Sequence, residues 1–195
     1  LQSGSKLILR GSAVASMTVL PALYQQRQFK PAWTNQRSIA QLLTALRNID
    51  NDGLDAQDYH LATLETRQAD IGSGASSDAG RMADFDVLLT DSLIRLGYHL
   101  LVGKVDPVEL DSNWNMDRSI NGRDAVQAVT SAIEQASIDK LLAGVRPQHS
   151  YYRHLQQALA RYRTIAANGD WPAVPPGAVL KPGMTDARVV ALRQR

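Results

Sequence analysis

The stretch Arg81-Met82-Ala83-Asp84-Phe85-Asp86-Val87-Leu88-Leu89-Thr90-Asp91-Ser92-Leu93-Ile94-Arg95-Leu96-Gly97-Tyr98-His99-Leu100-Leu101-Val102 decides the fold. Met82, Phe85, Leu89, Leu93, Leu96 and Leu100 recur at three- and four-residue steps, the period of an α-helix. Val87, Leu88, Ile94 and Leu101 widen the apolar stripe, so this helix is predicted to be central to a bundle rather than to lie on its surface. Gly103 is a C-terminal stop and Pro107 reinforces it.

The flanking segments read as helices that can surround such a core. Leu20, Leu23 and Tyr24 predict a short helix over Leu20 to Arg27, with Pro21 in its first turn. Ile39, Leu42, Leu43, Leu46 and Ile49 define one face of a helix from Ser38 to Asp50. Gly53 ends that segment. Asp55 caps a short helix, Asp58 makes an imperfect capping box, and Tyr59 and Leu64 face inward. Ala69 to Gly80, rich in Gly, Ser and Asp, is expected to be a loop. Beyond the long helix, another starts at Asn121 and carries Val126, Val129 and Ile133, and a turn through Ile138, Leu141 and Leu142 ends at Gly144. A last complete helix spans Ser150 to Ala167, with Tyr152, Leu155, Leu159, Tyr162 and Ala166 on one face. Lys6 to Arg10 is an apolar run suited to a strand or an extended lead-in. The expected fold class is all-α: a helical bundle over residues 1–170, a Pro/Gly-rich linker over 171–179, and the truncated start of a further small helical domain over 180–195.

Composition narrows the function classes. The 195 residues are 44% hydrophobic and 21% charged, enough apolar content for a folded core. Lys and Arg total 21 against 19 Asp and Glu, and the charges are interspersed. The concentrated basic face that nucleic acid demands is missing, so no nucleic-acid partner is expected. No apolar run approaches the roughly twenty residues of a membrane span, and the first residues lack the layout of a signal peptide. Cysteine is absent, which excludes a cysteine nucleophile, thiolate metal sites and disulfides within these residues.

Residue constellations with chemical potential each have a structural alternative. Asn48, Asp50, Asp52 and Gly53 fall on the first, third, fifth and sixth places of a calcium loop, but Tyr59 stands where the bidentate Glu belongs. They read as turn formers and caps. His60, His99, His149 and His154 are not paired at i, i+4, so no metal site and no cofactor is expected. Glu65, Glu109 and Glu134 are the only glutamates, and none comes with the second carboxylate and apolar cleft that a muramidase needs. No Gly-x-Ser-x-Gly, Ser-x-x-Lys or phosphate-binding Gly pattern occurs. Trp33, Trp114 and Trp171 are expected to plug a core from its edge. No catalytic residue is assigned.

Five motifs carry a resemblance. Phe29-Lys30-Pro31-Ala32-Trp33 resembles the F-x-P-x-W element of the large periplasmic L,D-transpeptidases with a helical scaffold. Asp52-Gly53-Leu54-x-x-x-Asp58-Tyr59 resembles their D-G-L-x-x-x-D-Y motif. Leu89-Thr90-Asp91-Ser92 through Gly103-Lys104-Val105-Asp106-Pro107 resembles their long scaffold helix and the turn after it. Tyr152-x-x-Leu155-x-x-Ala158-Leu159-x-x-Tyr162, then Gly169-x-Trp171-Pro172, is similar to the segment leading into their peptidoglycan-binding module. Leu180-x-x-Gly183 followed by Val189-x-x-Leu192 resembles the opening of that module, with Asp186 in place of the second usual Gly and Arg193 in place of the usual Gln.

The resemblance implies a periplasmic enzyme of cell-wall biogenesis, its signal or membrane anchor not present in this chain. Such an enzyme makes 3→3 peptidoglycan cross-links. A cysteine attacks the bond after diaminopimelate, forms a thioester and passes the acyl group to an amine on a neighbouring strand. That cysteine lies in a domain beyond the wall-binding module, so the parent resembled is a cysteine acyltransferase and these residues alone are expected to be inactive. The helix begun near Asp186 would place its next inward residue at 196, and the expectation is of a fragment whose second unit continues. Leu180, Gly183, Val189 and Leu192 are the expected framework of the peptidoglycan-binding module. Peptidoglycan, the parent's own catalytic domain and cell-wall synthases are the implied partners. A free-standing module that docks on peptidoglycan or on a synthase shares the same fold. A helical muramidase is a third reading, and it predicts sacculus lysis that is lost in Glu134→Gln.

Overall fold

The computed structural model describes residues 7–9, 12–73, 78–111, 113, 124–169 and 173–194. The chain divides into two compact units, Leu1–Gln148 and His149–Arg195. The fold is all-α among the described residues, apart from a small antiparallel hairpin of β1 (Leu7–Leu9) and β2 (Ser12–Val14), with Leu7 opposite Val14. The lead-in expected near Lys6 is thus a strand, and β2 is its partner.

In the first unit, α1 (Val19–Gln26), α2 (Gln36–Arg47), α3 (Leu61–Gly72), α4 (Ala79–Val102), the single turn α5 (Pro107–Leu110), α6 (Ala125–Glu134) and α7 (Ile138–Val145) follow in order. The long apolar stretch forms α4, which packs against α1, α2, α3 and α7. Leu88, Leu89, Leu93 and Leu96 are sealed from solvent. They meet Ile39, Leu42, Leu43 and Leu46 of α2, Leu23 of α1, Ile133 of α6, and Ile138 and Leu142 of α7 in one core. Burying a side chain of this size stabilises the fold by about 1.5–3 kcal/mol before entropy is counted. Met82 is the exception on the expected inner face: half exposed, it lies in the first turn of α4.

Local chemistry sets the element ends. Asn35 caps α2 by accepting the Arg37 N–H, Asp78, Asp106 and Asp124 cap α4, α5 and α6 in the same way, and Asp55 caps a 3-10 turn over Ala56–Tyr59 that ends before α3. The helix expected to reach Asp50 ends at Arg47, and a 3-10 turn over Ile49–Asp52 follows. Gly53 closes that turn at φ 74°, a left-handed conformation that a Cβ would strain. The loop expected over Ala69 to Gly80 is shorter than its composition suggests. Ala69 to Gly72 continue α3, and Ala79 and Gly80 open α4. Helix α6 opens at Ala125, whereas its expected start at Asn121 lies outside the described residues.

The second unit contains α8 (Ser150–Ala167) and α9 (Arg188–Gln194). Tyr152 and Leu159 of α8 are half-buried, but Leu155 and Tyr162, expected on the same inner face, are exposed. Apolar spacing orients a helix only when something covers that face, and no residue of α8 is fully buried.

Candidate functional site

The polar centre of the first unit lies along α4. Asp86, Thr90, Asp91 and Ser92 are buried among leucines, and a buried polar group must be hydrogen-bonded to be tolerated. Each of the four is. Asp86 accepts the backbone N–H of Ala32 at 3.0 Å and of Trp33 at 2.9 Å, and it also accepts the Tyr24 phenol. The Thr90 hydroxyl accepts the Trp33 indole N–H at 2.8 Å and donates to the Asp86 carbonyl. Burial, reinforced by Asp86, pushes the Tyr24 phenol far above its ordinary value, so it stays a neutral donor.

Asp91, with none of its side chain exposed, accepts the N–H groups of Ala15 and Ser16 at 3.0 and 2.9 Å through Oδ1. Its Oδ2 lies 3.3 Å from His60 Nε2 and 3.6 Å from Arg95. Burial alone pushes the Asp91 carboxyl up, but the hydrogen bonds from His60 and Ser16 and the Arg95 charge outweigh it and hold it below the usual carboxylate range. The Ser92 hydroxyl lies 2.8 Å from the Tyr59 carbonyl and 2.7 Å from the Leu88 carbonyl, two acceptors for one hydrogen.

The aspartate-rich turn also serves architecture. Asp52 pairs with Arg146 of the segment after α7 at 2.9 Å, and Asp58 pairs with Lys104 at 2.5 Å. Asp58 therefore reaches across to the end of α4, away from the capping-box role its spacing suggested. Tyr59 is sealed in the core and its hydroxyl meets His99 Nδ1 at 2.8 Å. Among the described residues no group of three or more His, Asp or Glu side chains is arranged to hold a metal ion. Glu134 is exposed and pairs with Arg27 at 2.5 Å, an environment unlike the apolar cleft of a general acid.

The four framework positions of the second unit can be located. Gly183 adopts φ 86°, so the turn before α9 uses the left-handed conformation that favours glycine. Leu180 and Val189 are half-buried and Leu192 is exposed. Asp186 accepts the Arg188 N–H at 2.9 Å and binds its guanidinium at 2.7 Å, which holds the carboxyl down at about 2. Asp186 thus makes the turn into α9 with its own side chain.

The first unit also has concavities away from this centre. A groove of about 440 Å³ runs beside Thr63, Arg67 and Asp70 of α3 and reaches Arg81. A smaller apolar cleft of about 120 Å³ lies over Gly97, walled by Val19, Leu93, Leu101 and Val129. Sequence reasoning located neither, because both arise from how helices meet. It also located Trp33, Asp91 and Tyr59 without showing that they converge on α4. The signal available was three consecutive polar residues, Thr90-Asp91-Ser92, inside the long helix that lines the core.

A search of curated proteins and one of solved structures find no match to the chain. A protein-family model described as "Scaffold domain" matches residues 18–159, a span from the start of α1 into α8. It contains Asp86, Thr90, Asp91 and Ser92, whereas Ala15 and Ser16, which donate to Asp91, lie just before it. The chain belongs to the scaffold-domain family.

Proposed function

We propose that this chain is the scaffold portion of a periplasmic L,D-transpeptidase that forms 3→3 peptidoglycan cross-links. In this reading it holds a wall-binding module and a cysteine-bearing catalytic domain in register, and does no chemistry itself. The observation that carries the reading is the use made of the motifs. Pro31-Ala32-Trp33, Asp52-Gly53, Asp58-Tyr59 and Thr90-Asp91-Ser92 are spread over about sixty residues, yet their partners tie them to α4, to Lys104 just past its end or to Arg146 just past α7. A motif set spent on fastening loops to one helix suits a part whose task is to be rigid. Three further facts agree: membership of the scaffold-domain family, the absence of cysteine, and an ion-paired, exposed Glu134.

Residues 180–195 are read as the start of the wall-binding module, with Leu180, Gly183, Val189 and Leu192 as its framework. Peptidoglycan is then the partner, and cell-wall synthases are a second class. The test is to incubate the purified chain with tetrapeptide-bearing muropeptides and to sediment it with purified sacculi. The reading expects sacculus binding and no 3→3 dimers. Dimers formed by this cysteine-free chain would overturn it.

A further inference from the structure

We propose that the turn after α1 presents Phe29 as a stacking platform for the sugar rings of an N-acetylated, carboxylate-bearing glycan strand. The inference rests on the peptidoglycan reading above and assigns part of that recognition to one side chain. Phe29 is 79% exposed, although the chain has only two phenylalanines and the other, Phe85, is buried. Leaving an aromatic ring in water forfeits the gain of burying it.

The backbone beneath it is strained as well. Gln28 and Phe29 are consecutive non-glycine residues at φ 54° and 59°, a left-handed conformation that persists only where its surroundings enforce it. Here they do. The Phe29 N–H is held by the Tyr24 carbonyl at 2.8 Å, and Arg27 clamps the Pro31 carbonyl at 3.0 Å while pairing with Glu134. Asp86 then fixes the N–H groups of Ala32 and Trp33. The ring is exposed on a fastened turn, so little ordering is left to oppose binding.

The surroundings select the ligand. Gln25, Gln26, Gln28 and Lys30 are exposed, and their side chains make no hydrogen bond or ion pair among the described residues. A protein hot spot sits in a well-packed apolar patch, whereas the two residues that flank this ring in the chain, Gln28 and Lys30, are polar and exposed. A pyranose supplies an apolar face for the ring, hydroxyl and N-acetyl edges for the amides, and, in an acidic strand, a carboxylate for Lys30.

With two phenylalanines, ring-selective isotope labelling gives two sets of NMR signals and a built-in control. The probes are N-acetylglucosamine tetramer and a disaccharide-tetrapeptide muropeptide. The proposal expects saturable shifts of the Phe29 ring with both and none at Phe85. It also expects tighter binding of the charged probe, about tenfold weaker binding in Phe29→Ala and near-native binding in Phe29→Tyr, with both variants folded. If the muropeptide shifts backbone signals elsewhere while Phe29 stays still, this proposal fails and the wall-binding reading stands. If neither probe moves any signal and sacculi do not bind, both fail. Phe29 signals that broaden with the chain's own concentration, without saccharide, would mark a protein-docking surface and overturn the proposal.

Discussion

The carboxylate of Asp91 survives without solvent because four groups replace it: two backbone N–H donors, His60 and Arg95. Its folded-state proton affinity is lowered, so its contribution to stability is present above the unfolded carboxyl range near 4 and is lost as pH falls through the lower folded value. Asp91→Asn removes that charge and leaves donors unmatched, and the expected destabilisation is about 2–4 kcal/mol at neutral pH. Chemical denaturation from pH 7 down to pH 3 checks it. The gap between wild type and variant should be constant above the unfolded range and narrow in acid. At this scale the sequence placed Trp33 at the edge of a core, Tyr59 on an inner side and Asp91 within a motif, but did not show what each would bond to. A tryptophan in a sequence does not say that a threonine fifty-seven residues away accepts its indole N–H.

Between elements, two ion pairs of similar length have different expected worth. Asp58 and Lys104 are both substantially exposed, so water screens them and Asp58→Ala is expected to cost about 0–1 kcal/mol. The Asp52 side chain is only 2% exposed, and it ties the turn after α2 to the segment after α7. Asp52→Ala leaves Arg146 without that partner, and the expected cost is about 2–3 kcal/mol. Thermal unfolding of the two variants side by side distinguishes them. Helices α2 and α4 were legible because their apolar periodicity is dense and each has a side-chain cap, whereas the turn expected through Ile138, Leu141 and Leu142 is the helix α7, whose Ser137 makes no side-chain cap. The end of α3 was not, because Gly and Ser lower helix propensity without forbidding one more turn. The exposed face of α8 was not legible either, because periodicity reports which residues share a face and not whether anything covers it.

For the whole molecule, the all-α class follows from one helix that is apolar around much of its girth and must be surrounded by others. The lack of cysteine leaves no thiol chemistry to these 195 residues, and neither that nor their interspersed charge names a partner. That step rests on motif resemblance, and the structure gives the motifs a common purpose: they fasten a turn, a hairpin exit and an aspartate-rich loop to α4 or to the helices packed on it. Membership of the scaffold-domain family agrees with that purpose. The most direct measurement is the muropeptide profile of source cells in which residues 18–159 are deleted in frame from the gene. The account predicts that 3→3 cross-linked dimers fall sharply while 4→3 dimers persist. An unchanged 3→3 fraction, with the shortened product present at normal abundance, would contradict it.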